Sequence, residues 1–362
     1  MKLHIAEGLR ELTVGIGLVV LSTITVGGLC EGLLRVVLFS DSFAIDALRK
    51  PWRYASGDDD YWKLSFIWEA GKKGQGVGRI DPELGWAPAK EPGNPLGIIT
   101  ETPYKMEDIR QPVLFFGDSF VAGATPIPYR IPQLLDGLSV DRSVLNYGVG
   151  GYGVDQIYLR FRKTAKDFDK PTILIGILTG DLDRGVLSFR TGQKPYFDII
   201  DDALVVRNLP ILPSTRDYVK AYPPKIRSYL ARFILFRLEP LISKEWFRRL
   251  VDDDETRRRI EHINKRLLRA FSEDAEANGM EIYTILFYGE EDFSEQTWRE
   301  RFLKATLEEV GLPYFDTKAC ILDYMKEAHV QLDELFYQEN GHPNEKGNQI
   351  IADSLFNWLR SR

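Results

Sequence analysis

The feature that most limits how this chain folds is an apolar run that ends in Gly-Asp-Ser. Residues 113–116 are all apolar and predict a buried strand, which Gly117, Asp118 and Ser119 then end. A turn of this kind leaves the serine exposed at the start of a helix, close to backbone N–H groups that stabilise an oxyanion. Ser119 therefore occupies a position that suits a nucleophile, and Asp118 suits the N-cap of the helix.

From residue 111 onward, short apolar runs alternate with segments of helical spacing. The runs predict strands at 113–116, 144–147, 173–178, 282–287 and 314–316. Helices are predicted between them, for example at 156–166 and 256–277. This alternation predicts a three-layer α/β fold of the flavodoxin-like kind, a doubly wound parallel sheet with helices on both faces. Ligands bind such sheets at the carboxyl ends of the strands, where Ser119 falls.

The sequence predicts four parts in the chain. Residues 1–11 form an N-terminal tail, 12–38 a transmembrane helix and 39–110 a connector that contains tryptophans. Residues 111–362 form the α/β domain, with an insertion at 185–255. A disordered linker carries fewer aromatic residues, so we expect the connector to pack on the domain.

The stretch from Leu12 to Cys30 carries no charge and is long enough to span a bilayer. A cleaved signal peptide is the alternative. The apolar region of a signal peptide is shorter, and an Ala-x-Ala-like cleavage site follows it, which this sequence does not show. We therefore expect a single-pass membrane protein with the lipid bilayer as a partner. Basic residues flank both ends of the span, so the distribution of charge does not fix its orientation. We expect the folded domain to be extracytoplasmic. Gly28 and Gly32, four residues apart, allow close contact with a helix of a membrane-protein partner.

Residues 225–251 of the insertion mix basic side chains with apolar and aromatic ones. Such a stretch either lies on lipid headgroups, covers an active site, or forms a pair of ordinary surface helices.

Several partners and cofactors are not indicated by the sequence. The net charge is −6 and no basic run stands at either terminus, so nucleic acid is not an expected partner. The two cysteines, Cys30 and Cys320, lie far apart and imply no disulfide framework. No metal-ligand spacing and no glycine-rich phosphate loop occurs, so we expect neither a metal nor a cofactor.

A serine nucleophile needs a base, and the base needs an orienting group. Among the four histidines, His342 lies in a turn that opens the last predicted helix, and it is the candidate base. Glu339 precedes it by three residues. A carboxylate at that spacing can fold back within one turn and hold the imidazole tautomer whose other nitrogen faces the serine.

These residues resemble the sequence blocks of the SGNH, or GDSL, hydrolases over about residues 111–362. The first block of that family is Gly-Asp-Ser, here at 117–119. The second carries an asparagine and a glycine after a strand, here Asn146 and the glycine-rich residues 148–153. The last is Asp-x-x-His-Pro, in which Glu339 stands here for the aspartate.

The resemblance implies a role for each matching residue. Ser119 is implied to be the nucleophile, His342 the general base and Glu339 the orienting acid. The backbone N–H groups of Ser119 and Gly151 are implied to form part of the oxyanion hole. The glycines of the second block have a simpler reading as well, since they allow a tight turn between strand and helix.

The third block departs from the family, which has Gly-x-Asn-Asp and uses the asparagine amide as an oxyanion donor. Here either Gly180 or Asp181 replaces that asparagine, depending on the register. An ionised aspartate would repel the oxyanion, and the loss of one donor costs on the order of 3 kcal/mol. A protonated Asp181, or a side chain such as Arg184 or Arg130, could restore the donor.

The resemblance implies a membrane-anchored serine esterase or O-acyltransferase that acts on small, acetyl-type esters, chiefly of carbohydrate. The alternative is an SGNH domain with impaired catalysis that binds a glycan or serves as a subunit of a membrane assembly. The departure in the third block, the exchange of aspartate for Glu339 in the last block and the membrane span favour this alternative.

Overall fold

The computed structural model describes most of the chain, namely residues 2–40, 45, 48–49, 59–73, 79–91, 93–101, 105–238 and 254–362. Contacts within the chain divide it into two units. The sheet unit comprises Gln75–Ala221 and Asp253–Arg362, and the helical unit comprises Met1–Gly74 and Tyr222–Asp252.

The strands of the described residues are β1 (Arg79–Asp81), β2 (Gly85–Ala87), β3 (Val113–Gly117), β4 (Val144–Gly148), β5 (Thr172–Leu178), β6 (Tyr196–Ile200), β7 (Ala203–Arg207), β8 (Ile282–Phe287) and β9 (Tyr314–Asp316). The α-helices are α1 (Lys2–Phe39), α2 (Asp59–Lys73), α3 (Ser119–Ala122), α4 (Ile131–Leu138), α5 (Val154–Thr164), α6 (Asp181–Arg184), α7 (Thr215–Ala221), α8 (Tyr229–Leu238), α9 (Asp254–Ala277), α10 (Trp298–Val310), α11 (Thr317–Ala328) and α12 (Glu345–Arg360).

The centre of the sheet unit is a five-stranded sheet in the order β4-β3-β5-β8-β9. Every neighbouring pair is parallel. All five strands were predicted from their apolar runs, and the parallel α/β fold is confirmed. The order is the flavodoxin-like one, in which the second strand of the sheet lies on one side of the first strand and the third strand lies on its other side. The turns after β3, β4 and β5 therefore meet at one edge.

Strand β3 shows why the sheet has three layers. Side chains alternate between the two faces of a strand, so Val113 and Phe115 point to one face and Leu114 and Phe116 to the other. All four are buried, and the two pairs belong to separate apolar clusters. Helices α5, α9 and α10 cover the face of Leu114, while α4, α11 and α12 cover the face of Val113. Because β3 is buried on both faces, its sequence is a continuous apolar run and does not alternate between apolar and polar residues.

The helical unit contains α1, α2 and α8. Residues of α1 and α2 and the chain around the start of α8 share a small buried cluster, which consists of Leu38, Leu64, Trp68, Ile226 and Tyr229. Within α1, Thr13–Phe39 is long and apolar enough to cross a membrane, and none of its most apolar window is buried. A signal sequence near an N-terminus meets the same criterion of length and composition.

The division of the chain differs from the sequence prediction at three places. The residues predicted as a tail, 1–11, are helical from Lys2 onward, since nothing between them and the apolar stretch breaks a helix. The predicted connector, 39–110, is shared between the units: Trp68 is buried in the helical unit and Trp86 in the sheet unit. The insertion, 185–255, is also shared, and residues 239–251 of its basic segment lie outside the described residues.

Candidate active site

The turn after β3 presents Ser119 at the first position of α3. The Asp118 carboxylate accepts a hydrogen bond from the backbone N–H of Phe120 at 2.8 Å, which confirms the predicted N-cap. Two glycines let α3 pack against the strands. A Cβ on Gly117 would lie 2.3 Å from a methyl group of Val121, and a Cβ on Gly148 would lie 2.2 Å from a backbone nitrogen of α3. The position of Ser119 therefore depends on these glycines.

The structure brings Ser119 and His342 into contact. The Nε2 atom of His342 lies 2.8 Å from the Ser119 hydroxyl oxygen. The imidazole also stacks on the ring of Phe120, with centroids 4.7 Å apart, which limits its rotation. Serine and histidine thus have the separation that proton transfer requires.

The protonation state of His342 follows from its surroundings. Its Nδ1 atom lies 3.0 Å from the backbone carbonyl of Asn340, and a carbonyl only accepts hydrogen bonds. Nδ1 therefore carries the proton, and the lone pair of Nε2 faces the hydroxyl of Ser119. Burial lowers the pKa of His342, while the Asp118 carboxylate acts to raise it. The neutral, proton-accepting form is accordingly favoured at neutral pH.

The orienting contact predicted for Glu339 is made by Asn340. The side-chain oxygen of Asn340 lies 3.1 Å from Nδ1 of His342, in addition to the backbone carbonyl. In the described part of the chain, no hydrogen bond joins Glu339 to the imidazole. The prediction assumed that the chain folds Glu339 back onto the imidazole within one turn. Gly341, between the two residues, has a φ of +68° and turns the chain so that Asn340 meets the imidazole instead. As predicted, His342 lies in the turn before the last helix, which begins at Glu345.

Asp181 and Arg184 form a buried charged cluster with Asp118. The Nη1 atom of Arg184 lies 2.5 Å from the Asp181 carboxylate and 2.9 Å from that of Asp118. The other oxygen of Asp181 accepts the N–H of Leu178 at 3.0 Å. Burial and the neighbouring Asp118 raise the pKa of Asp181 well above its usual value, and Arg184 opposes this rise. Both oxygens of Asp181 are thus engaged inside the protein.

The predicted oxyanion residues lie in the turns on either side of β3. Gly151 follows β4, and Gly180 follows β5 as the N-cap of α6. In the described residues, the backbone N–H groups of Ser119 and Gly151 have no acceptor within the chain, as donors to an oxyanion require. Arg130, the other predicted substitute donor, binds the carbonyls of Thr125 and Ala122 instead.

Sequence reasoning did not assign Trp86 to the site. Its indole N–H donates to the carbonyl of Gly150 at 3.1 Å, and its ring would lie 3.6 Å from a Cβ on Gly151. Trp86 therefore supports the turn that carries a candidate oxyanion donor. The sequence before Trp86 resembles a turn, which marks the position. It does not reveal that Trp86 binds Gly150, which lies 64 residues further along the chain.

The first prediction concerns pH. Because burial lowers the pKa of His342 below 6.5, we expect the midpoint of the acidic limb of kcat/KM for an aryl acetate to lie below pH 6.5. Asp118 raises this pKa, so Asp118→Asn should move the acidic limb to lower pH, whereas Asp353→Asn on the exposed surface of α12 should not. A limb that moves to higher pH in Asp118→Asn would contradict the electrostatic argument.

The second prediction separates Asn340 from Glu339. Asn340→Ala removes one hydrogen bond to the imidazole and leaves the backbone carbonyl in place. A hydrogen bond of this kind contributes about 1 kcal/mol, so kcat/KM should fall about fivefold. Glu339→Gln serves as the matched control and should change kcat/KM less than about twofold. The reverse pattern in the two variants would restore the orienting role to Glu339.

Comparisons with known proteins add the following findings. No protein-family model matches the sequence, and no curated protein matches it significantly. A lipolytic protein of the G-D-S-L family from Veillonella parvula is 15% identical, with a TM-score of 0.37, and the match covers 69% of this chain and 99% of that one. A lipase/acylhydrolase from Enterococcus faecalis is 14% identical, with a TM-score of 0.39 and coverage of 70% and 96%. A catalytic mutant of an acetylxylan esterase from Geobacillus stearothermophilus is 17% identical, with a TM-score of 0.38 and coverage of 68% and 93%.

At these identities and TM-scores, the comparisons by themselves carry no argument about this chain. Its own features agree with the SGNH-type fold that the sequence resemblance implies. These features are the strand order, the Gly-Asp-Ser turn after the first strand of the central sheet, and the contact of His342 with Ser119 in that turn.

Proposed function

We propose that the protein is a serine esterase of the SGNH type. The observation that carries this proposal is the 2.8 Å contact between Nε2 of His342 and the hydroxyl of Ser119, at the carboxyl end of β3. An ordinary serine is a weak nucleophile, and a neutral imidazole in this position activates it.

In the first half of the proposed reaction, the oxygen of Ser119 attacks the carbonyl carbon of an ester. The hydroxyl proton passes to Nε2 of His342 as the new carbon–oxygen bond forms. The negative charge that develops on the carbonyl oxygen is stabilised by the backbone N–H groups of Ser119 and Gly151. The bond to the leaving alcohol then breaks, and the histidine returns the proton to the alcohol oxygen, which leaves an acyl group on Ser119.

In the second half, water or a sugar hydroxyl attacks the acyl group. His342 accepts the proton of the attacking oxygen and then returns it to the oxygen of Ser119. Water gives a free acid, and a sugar hydroxyl gives a new ester, so the same residues serve an esterase or an O-acyltransferase. The sequence resemblance implies acetyl-type esters of carbohydrate as the substrate class.

We further propose that α1 holds the enzyme in a membrane. The stretch Thr13–Phe39 is apolar, and none of its most apolar window is buried within the described chain. An exposed apolar surface of this length is costly in water and is favourable in a lipid bilayer. The folded domain is proposed to lie outside the cytoplasm.

One observation favours the alternative, a domain that has kept the fold and lost most of its activity. Asp181 is engaged with Arg184 and Leu178, so the remaining candidate for the family's asparagine position is Gly180, which has no side chain. Such a domain would bind a glycan or join a membrane assembly.

The third prediction tests the proposal itself. Ser119→Ala removes the nucleophile, and His342→Ala removes the base, so each should lower hydrolysis of an aryl acetate by several orders of magnitude, to the residual rate that the oxyanion hole and substrate binding alone support. Ser139→Ala, at the end of α4, is the matched control and should retain full activity. If the wild-type protein shows no turnover, the binding-module alternative is favoured instead.

The fourth prediction tests the oxyanion hole. Gly180 has an ordinary φ of −69°, and a Cβ there would meet only Leu178, at 3.8 Å, so an asparagine fits without strain. If Gly180 holds the family's asparagine position, Gly180→Asn adds a donor and should raise kcat tenfold or more, given about 3 kcal/mol for a good donor. Gly180→Ala is the control and should leave kcat unchanged. An equal effect of both substitutions would place Gly180 outside the hole.

A further inference from the structure

The charged residue that ends the apolar stretch of α1 has an unusual set of partners. Residues 12–30 carry no charge and span about 28 Å at 1.5 Å per residue, close to the ~30 Å hydrocarbon core of a bilayer. Glu31 is the next residue. With residues 12–30 inside the bilayer, Glu31 lies where hydrocarbon gives way to headgroups.

Glu31 binds the N-terminus of α8. Its carboxylate accepts the backbone N–H groups of Tyr229 at 3.1 Å and Leu230 at 2.8 Å, and the hydroxyl of Ser228 at 3.0 Å. A carboxylate at a helix N-terminus satisfies free N–H groups and interacts favourably with the helix dipole. Arg35, one turn further along α1, pairs with Glu31 at 2.6 Å. The beginning of α8 is therefore held at the level of Glu31.

Aromatic and cationic contacts hold α8 against the last turns of α1. The ring of Tyr229 packs edge-on against Phe39 with centroids 5.5 Å apart, and the guanidinium of Arg35 lies 4.8 Å from the centre of the Tyr229 ring. Leu38 and Tyr229 are both buried in the same apolar cluster. Within the helical unit, α8 is thus seated on the part of α1 that follows the uncharged stretch.

The opposite side of α8 is exposed and combines positive charge with an apolar residue. Within α8, Ala231, Ile234 and Arg237 are all exposed, and their spacing of three residues places them on one face. Arg227, two residues before α8 begins, is exposed as well. Ile234 is 47% exposed although it is a large aliphatic side chain. Arginines beside an exposed aliphatic residue are the pattern of a helix that lies in a membrane interface.

We propose that α8 is a second membrane contact, which lies along the bilayer surface beside α1. Arg227 and Arg237 bind anionic phospholipid headgroups, and Ile234 enters the boundary between headgroups and acyl chains. This inference rests on the proposed membrane span of α1 and is independent of the esterase activity. Of the alternatives for the basic segment at 225–251, the proposal favours contact with lipid headgroups over a pair of ordinary surface helices.

The test measures depth in the bilayer with the full chain. Cys30→Ser and Cys320→Ser give a cysteine-free background, and single cysteines then replace Val20, Ile234 or Val140. Each is labelled with a polarity-sensitive fluorophore, and the protein is reconstituted into vesicles of phosphatidylcholine and phosphatidylglycerol. Quenching is compared between lipids spin-labelled at the headgroup and lipids labelled deep in the acyl chain.

We expect the deep label to quench the probe at Val20, and the headgroup label to quench the probe at Ile234 several-fold more than the deep label does. The probe at Val140, 78% exposed in the sheet unit, is the control and should respond to neither label. If Val20 is quenched and Ile234 behaves like Val140, the α8 proposal is wrong and the span stands. If Val20 is not quenched either, both the span and the proposal fail.

The headgroup charge is tested with matched variants. Arg227→Gln with Arg237→Gln removes one charge just before α8 and one charge within it, and Arg216→Gln with Arg258→Gln removes two exposed charges from the sheet unit. We expect only the first pair to reduce headgroup quenching at Ile234, and vesicles of phosphatidylcholine alone to reduce it in the same way. Equal quenching in neutral and anionic vesicles would overturn the binding of anionic headgroups. Glu31→Ala should lower quenching at Ile234 and leave Val20 unchanged, since α8 then loses its attachment to α1.

Discussion

The arrangement of the candidate site depends on the two oxygens of Asp118. One oxygen caps the helix that begins at Ser119, and the other binds Arg184, which in turn holds Asp181 in the turn after β5. A single buried carboxylate therefore connects the turn that presents the serine to the neighbouring turn, where the family's asparagine would stand. Removing one partner of such a buried cluster leaves charge uncompensated, which is costly.

The buried cluster of Asp118, Asp181 and Arg184 also bears on the loss of the family's asparagine from the third block. An ionised aspartate in an oxyanion hole would oppose catalysis, but Asp181 directs both oxygens to partners within the protein. The electrostatic objection to an ester-cleaving site is thereby weakened. If Gly180 holds the position of the family's asparagine, the site lacks a side-chain donor there, and the backbone N–H groups of Ser119 and Gly151 remain its candidate donors.

Much of the fold was predictable because parallel strands buried on both faces appear as continuous apolar runs. Ser119 and His342 were predictable for a related reason, since both follow recognisable blocks at the edge of that sheet. The contact of Asn340 with the imidazole was not predictable, because the sequence spacing does not reveal that the positive φ of Gly341 turns the chain between Glu339 and His342. Nor was the pairing of Arg184 with Asp118, which lie 66 residues apart and carry no local pattern that links them.

The central claim is that Ser119 and His342 act together as a nucleophile and its base. The most direct measurement is mass spectrometry of the purified protein after treatment with a fluorophosphonate, which phosphonylates a serine only where a base activates it. The account predicts one adduct, on the peptide that contains Ser119, with no adduct in Ser119→Ala and strongly slowed labelling in His342→Ala. A folded protein that remains unlabelled, or one labelled equally fast without His342, would contradict it.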